Sequence, residues 1–144
     1  AGLFFEFAHY VDVKPMINQL QCNVMAQQND IVQVLNETDT KIMAWGPLGG
    51  QGVDGIVQNE ILSAIGAKYG KTAAQVALRW LTQRGIVAIP KSVHVERMQQ
   101  NFDIFDFSLT ADEMTQVATL NQQDAGFIDF NSLSFVKYLV EKYG

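Results

Sequence analysis

The sequence predicts an α/β fold with parallel strands, and three observations carry that expectation. Short apolar or β-branched runs alternate with longer segments of helical periodicity along most of the chain. Consecutive apolar runs are separated by helix-length stretches, the crossover that parallel strands need. The run Ile86-Val87-Ala88-Ile89 ends at Pro90-Lys91-Ser92 and leads into a polar, helix-compatible segment, as a buried parallel strand does when it delivers a loop to a helix.

Composition sets the bounds. The 144 residues are 48% hydrophobic and 10% aromatic, enough for one domain with a real core. A net charge of −5 and a pI near 4.8 argue against nucleic-acid or anionic-membrane partners, which want a basic face, so any anion site must be local. A single cysteine, Cys22, rules out an internal disulfide and fits a reducing compartment; cytoplasm is the expected location. No apolar run approaches the roughly 18 residues of a membrane span, and no basic segment precedes the N-terminal aromatics. The chain begins at Ala1 inside what reads as structured sequence, so an upstream part is expected.

Phe4, Phe5, Phe7 and Ala8 fall at helical spacing before Pro15, as the tail of a helix would. A strand follows over 16–21, with Ile17 and Gln19 on one face and Met16, Asn18 and Leu20 on the other. Residues 27–37 form a short amphipathic helix through Ile31, Val34 and Leu35. The second strand, 41–45, runs into a glycine-rich loop over 46–52. Next comes a helix over 60–69, with Ile61, Leu62, Ile65 and Tyr69 inward and Gly70 at its cap. In the helix over 71–84, Thr72 and Gln75 make a capping box, Ala73, Val76, Ala77, Trp80 and Leu81 make one stripe, and Gly85 stops it. The strand over 86–89 precedes a helix over 95–102. A second capping box, Thr110 with Glu113, starts a helix that buries Met114, Val117 and Ala118, and a last helix over 132–142 turns Phe135, Leu139 and Tyr138 inward. No repeat, linker or low-complexity segment divides the chain, so residues 1–144 are expected to be one domain. Three parallel strands leave open edges, so that domain is expected to be incomplete or self-associating.

The chemistry concentrates after the third strand. A helix start presents unpaired N–H groups and the positive end of its dipole, and Lys91, Ser92 and Arg97 add a point charge, a hydroxyl and a planar fork. From the residues alone this is either a phosphate site or an ordinary solvated helix start. Trp45, ending a strand before Gly46-Pro47, is either a core residue or a flat face for an aromatic ligand. Gln19 can donate and accept at once, whether to neighbouring backbone or to a bound amide. The glycine-rich loop is either a surface loop or a backbone cradle for an anion. His94 reads as a surface residue, His9 and Cys22 lack a partner at metal-ligand spacing, and Asp112 and Glu113 suit the first turn of a helix.

The ordered set of these motifs resembles the aldo-keto reductase family. It comprises Val13-Lys14-Pro15 before Asn18-Gln19, Trp45 with Pro47-Leu48-Gly49, and Ile89-Pro90-Lys91-Ser92 followed by Arg97, Asn101 and Asp106-Phe107. The 71–80 segment is also similar to the family. The resemblance implies the C-terminal portion of a (β/α)8 TIM barrel: the tail of its fifth helix, strands six to eight and the helices after them, in a fold of about 250 residues.

It further implies that Lys91, Ser92 and Arg97 bind the 2′-phosphate of NADP(H), that Asn101 contacts the adenine, and that Gln100, where the family commonly has glutamate, lies beside it. Trp45 would stack on the nicotinamide, Gln19 would hold its carboxamide, and Leu48 would offer a backbone contact to the pyrophosphate. The serine-asparagine pair that shares the carboxamide in the family is not supplied by Ala1-Gly2-Leu3. The family's aspartate, tyrosine, lysine and histidine tetrad belongs to its N-terminal half, and no residue here matches it. The resemblance thus implies the cofactor-binding part of an enzyme that reduces small aldehydes or ketones. The alternative is a truncated, non-catalytic module that self-associates through its open strand edges.

Overall fold

Two capping boxes organise the described part of the molecule. In this computed structural model, residues 2–49 and 55–122 are described, together with Lys137 and 140–142. The expected helix over 132–142 therefore lies outside the described residues except at those four positions, and the loop positions 50–52 lie outside them altogether. The elements run α1 (Gly2–Tyr10), β1 (Ile17–Gln21), α2 (Asn29–Glu37), β2 (Lys41–Trp45), α3 (Glu60–Tyr69), α4 (Ala73–Gln83), β3 (Val87–Ala88), α5 (Val95–Phe102) and α6 (Ala111–Ala118), with a 3-10 turn at Ile56–Gln58.

Thr72 caps α4: its hydroxyl accepts from the Gln75 N–H, and the Gln75 side chain accepts from the Thr72 N–H. Thr110 and Glu113 repeat the arrangement on α6. The α4 stripe is buried as its spacing predicts, and Leu78 joins it. The Trp80 indole N–H donates to the Met114 carbonyl at 3.2 Å and ties α4 to α6. Gly70 ends α3 at φ 65, a conformation glycine adopts without a Cβ penalty.

The three strands pair in parallel in the order β1-β2-β3. Register places Asn18, Leu20, Ile42, Ala44 and Ala88 on one face and Ile17, Gln19, Lys41, Met43, Trp45 and Val87 on the other. The first face packs against the helices: Ile42 and Ala44 join one core with Leu35, Leu62, Ile65, Val76, Ala77, Trp80, Leu81 and Val117. On the second face Ile17 is exposed, as are Val87 at 43% and Ile89 at 40%.

That exposure corrects the expectation of a buried strand over 86–89. Ile86 is buried, but ladder pairing is confined to Val87–Ala88, and the alternate residues point to the uncovered side. β3 is also an edge, paired only with β2 among the described residues.

Two inward residues were misplaced by the same geometry. Ile61 is exposed and Ala118 is exposed. Each lies about 90° round its helix from the centre of the stripe actually buried, Leu62-Ile65-Gly66 with Tyr69 packed beside it in α3, and Glu113-Val117 with Met114 in α6.

Gly66 marks a close approach between α3 and α4. A Cβ there would run into the Lys71 carbonyl oxygen, and Lys71 N–H donates to the Gly66 carbonyl at 2.9 Å. Because the obstacle is backbone, Gly66→Ala is expected to cost about 2 kcal/mol, read as a lower urea midpoint with an unchanged slope.

Candidate functional site

Six of the eight residues singled out by sequence converge on one cavity. Of volume about 650 Å³, it lies between the loop after β2, the N-terminal end of α4, the segment after β3, and α5. Leu48, Lys91, Ser92, Arg97, Gln100 and Asn101 all line it. Local folding explains the convergence. The β2 loop leaves the sheet at Gly46, whose carbonyl accepts from both the Gly49 N–H and the Asn23 side chain, so Leu48 is held in a tight turn while Pro47 is buried. Beyond β3, the Ser92 hydroxyl accepts from the His94 N–H at 3.1 Å and so turns the chain into α5. Arg97, Gln100 and Asn101 are three and four residues apart and share one side of that helix.

Electrostatically the cavity is set up for an anion. Lys91 and Arg97 are both exposed, and neither has a carboxylate partner among the described residues. Lys41, Lys68 and Lys71, by contrast, each hold an aspartate or glutamate. Two cations without a carboxylate partner among the described residues, a hydroxyl and two side-chain amides form a donor set suited to phosphate oxygens and to a polar heteroaromatic ring. The volume is ordinary for a small-molecule site.

Gln19 and Trp45 are placed elsewhere. They do not line this cavity but leave the uncovered sheet face on adjacent strands, where the register sets Gln19 beside Met43 and Gln21 beside Trp45. The Gln19 amide nitrogen contacts the Met43 sulfur at 3.6 Å, and Trp45 is half-buried.

Sequence reasoning missed several lining residues. Val57 and Gln58 come from the 3-10 turn, and Thr72 and Ala74 from the start of α4. Thr72 was legible as a cap, and a cap at a helix N-terminus is a position from which donors can face a ligand. Nothing in the sequence marked Gln58. Gln21, which does not line the cavity, has a buried side chain whose amide nitrogen has no hydrogen-bond partner among the described residues.

Cys22 plays no part in this chemistry. It is fully buried, its thiol lies 3.8 Å from the Gln27 carbonyl, and burial pushes it up to about 11 although Arg84 pulls the other way. Native protein is therefore expected to resist iodoacetamide near neutral pH and to be alkylated only when denatured, as intact mass would report.

The comparisons with known proteins agree with this geometry. The model of the aldo/keto reductase family matches residues 9–122. The chain is 41% identical over 110 residues to the 9,11-endoperoxide prostaglandin H2 reductase of Trypanosoma cruzi, covering 76% of this chain and 39% of that protein. It is 38% identical over 114 residues to the glyoxal reductase of Bacillus subtilis, covering 78% and 40%. Among solved structures, MGS-M4, an aldo-keto reductase from a Medee basin deep-sea metagenome library, superposes with a TM-score of 0.86 at 31% identity, covering 92% of this chain and 50% of that one. A point mutant of Gox0644 in complex with NADPH superposes with a TM-score of 0.80 at 29% identity, covering 89% and 46%. The chain spans half or less of the length of each of these relatives. Its motifs, parallel sheet and matched residues together place this chain in the aldo/keto reductase family.

Proposed function

We propose that this chain is the cofactor-holding part of an NADP(H)-dependent carbonyl reductase, one incomplete domain over residues 1–144 corresponding to strands six to eight of a (β/α)8 barrel. The observation that carries the reading is that Lys91 and Arg97, neither held by a carboxylate among the described residues, meet Ser92 and Asn101 in one cavity. A ribose 2′-phosphate supplies the dianion that such a set selects, which distinguishes NADP(H) from NAD(H).

In this reading Arg97 forks onto the phosphate, Lys91 neutralises it, and Ser92 donates a further hydrogen bond. Asn101 and Gln100 face the adenine, and Leu48 lies where the loop backbone meets the pyrophosphate. Gln19 and Trp45 orient the nicotinamide end on the uncovered sheet face. When bound, the cofactor supplies a hydride for reduction of an aldehyde or ketone. The residues described here bind and orient, and none is assigned a catalytic role. Among the described residues no helix is long and apolar enough to cross a membrane, and the free thiol of Cys22 fits a cytoplasmic location.

Fluorescence titration of the 144-residue chain with NADPH and with NADH tests the proposal. NADPH is expected to bind at least tenfold tighter, about 1.4 kcal/mol, from the added phosphate contacts. Equal affinity would remove the phosphate assignment.

One observation favours a second reading, a truncated non-catalytic module that associates with its own copies. Met16, Ile17, Val87 and Ile89 expose apolar surface along the uncovered face and edges of the sheet, and such strands pair readily. Sedimentation equilibrium separates the two: a concentration-dependent dimer or larger species supports the module, and a monomer across the micromolar range counts against it.

A further inference from the structure

Helix α5 carries Arg97, Gln100 and Asn101 into the cavity, yet not one of its residues is buried. A helix of eight residues has little stability of its own, and most protein helices are held by an apolar face that this one does not sink. Its orientation must come from elsewhere.

The polar ties lie at its C-terminal end and lead to one lysine. The Lys71 ammonium sits 2.8 Å from a carboxylate oxygen of Asp103 and 2.8 Å from one of Asp106, and donates to the Asp103 carbonyl at 3.3 Å. Its side chain is only 8% exposed, and the ammonium lies 5.6 Å from the centre of the Phe107 ring. Asp103 is the residue that ends α5, its N–H donating to the Gln99 carbonyl. Gln75, already committed to the Thr72 capping box, adds a 2.8 Å bond to the same Asp103 carbonyl. The other end of the clamp is equally fixed, since Lys71 N–H is bonded to Gly66 and Thr72 begins α4. Thr72 and Ala74, beside that lysine, line the same cavity as Arg97, Gln100 and Asn101.

We infer that Lys71 is a positioning residue for the phosphate cavity: by gripping Asp103 and Asp106 it sets where α5 holds Arg97 and Asn101. The lysine touches no ligand itself. Its hydrogen bonds to Asp103 and Asp106 raise its own proton affinity, and the bond from Lys71 lowers that of Asp106, so each of these two favours the charged form of the other. The inference rests on the NADP(H) reading for its consequence, but the clamp itself can be tested separately.

Lys71→Met removes the charge and keeps the stem. Amide exchange across 97–102 is expected to quicken at least tenfold in this variant, while 76–81 in α4 keeps its wild-type protection. NADPH affinity is expected to fall about tenfold and NADH affinity by less, because both nucleotides share the adenine contacts of Gln100 and Asn101 while only NADPH also loses the phosphate contact, and Lys71→Arg to restore most of the loss. Combined with Arg97→Ala, Lys71→Met should add less than its full single-variant loss, because the two share the phosphate contact. A variant that merely unfolded the chain would instead lower both nucleotides equally and expose α4. Unchanged exchange in α5 overturns the inference, and so does wild-type NADPH affinity in Lys71→Met. A wild-type chain that binds neither nucleotide would overturn the cofactor reading alone, with α5 exchange still deciding whether the clamp exists.

Discussion

Replacing Lys91 and Arg97 together by alanine is expected to weaken NADPH binding about a hundredfold and leave NADH binding within about twofold of wild type. Each side chain contributes a charge-assisted contact to the phosphate, and such contacts are worth about 1.5 to 3 kcal/mol. Both residues are exposed, so the lower figure applies, and two losses of about 1.5 kcal/mol give about 3 kcal/mol, or about two decades in affinity. Salt should act the same way: raising ionic strength weakens NADPH binding to wild type and barely alters binding to the double variant. Isothermal titration with both nucleotides at two salt concentrations is the measurement. Loss of NADPH and NADH affinity in parallel would assign the two cations to some other part of the ligand.

Glu113→Ala is expected to destabilise the chain by about 3 kcal/mol, and the wild-type carboxylate to make stability fall in acid. Glu113 is 3% exposed and serves three partners: the Tyr69 hydroxyl donates to it at 2.6 Å, Lys68 at 2.9 Å, and the Thr110 N–H at 2.9 Å through the capping box. Losing the bond from the Thr110 N–H, the Glu113 half of the capping box, costs about 1 kcal/mol, and stranding the Tyr69 hydroxyl costs about 1 to 3 kcal/mol more. The Lys68 ammonium is largely exposed and adds little.

Burial alone would raise the carboxyl, but the bonds from Tyr69, Thr110 and Lys68 outweigh it and hold the group at about 2 against its ordinary 4.5. A group depressed by folding stabilises above its unfolded value. The contribution is therefore complete above about pH 4.5 and lost as pH falls toward 2. Urea unfolding at several pH values should show wild-type stability dropping through that window and Glu113→Gln dropping less. Parallel slopes for the two would mean that another carboxylate dominates acid unfolding.

The residues that were legible in the sequence are those whose chemistry is local. Both capping boxes formed as written, because a Thr and a Glu or Gln three residues apart satisfy each other's backbone without help from distant chain. The cluster Lys91, Ser92 and Arg97 was equally legible, since a strand end, a short turn and a helix start bring those residues together within seven positions, and the family resemblance added Gln100 and Asn101, which line the same cavity. Leu48, which the family resemblance carries over as a backbone contact, lines the same cavity.

What failed depended on packing partners that no local pattern names. Ile61 and Ala118 satisfy a helical spacing but sit on the flank of stripes whose centre is fixed by α4 and by the facing helix. Ile89 and Val87 look like a buried strand, yet burial needs a layer on each face, and only one is covered among the described residues. Gln58 entered the cavity wall through a 3-10 turn that has no periodic signature of its own.

The sequence by itself determined the element order, the helix starts and a compact cluster of cationic and polar groups, because these follow from backbone capping, periodicity and side-chain chemistry over short spans. Tertiary structure alone decided which stripe each helix buries, which sheet face stays open, and that Lys71 fastens α5 through two aspartates more than thirty residues away. Contacts across that separation depend on how α3, α4 and the segment after α5 pack, and packing is a property of the assembled core rather than of any window of sequence.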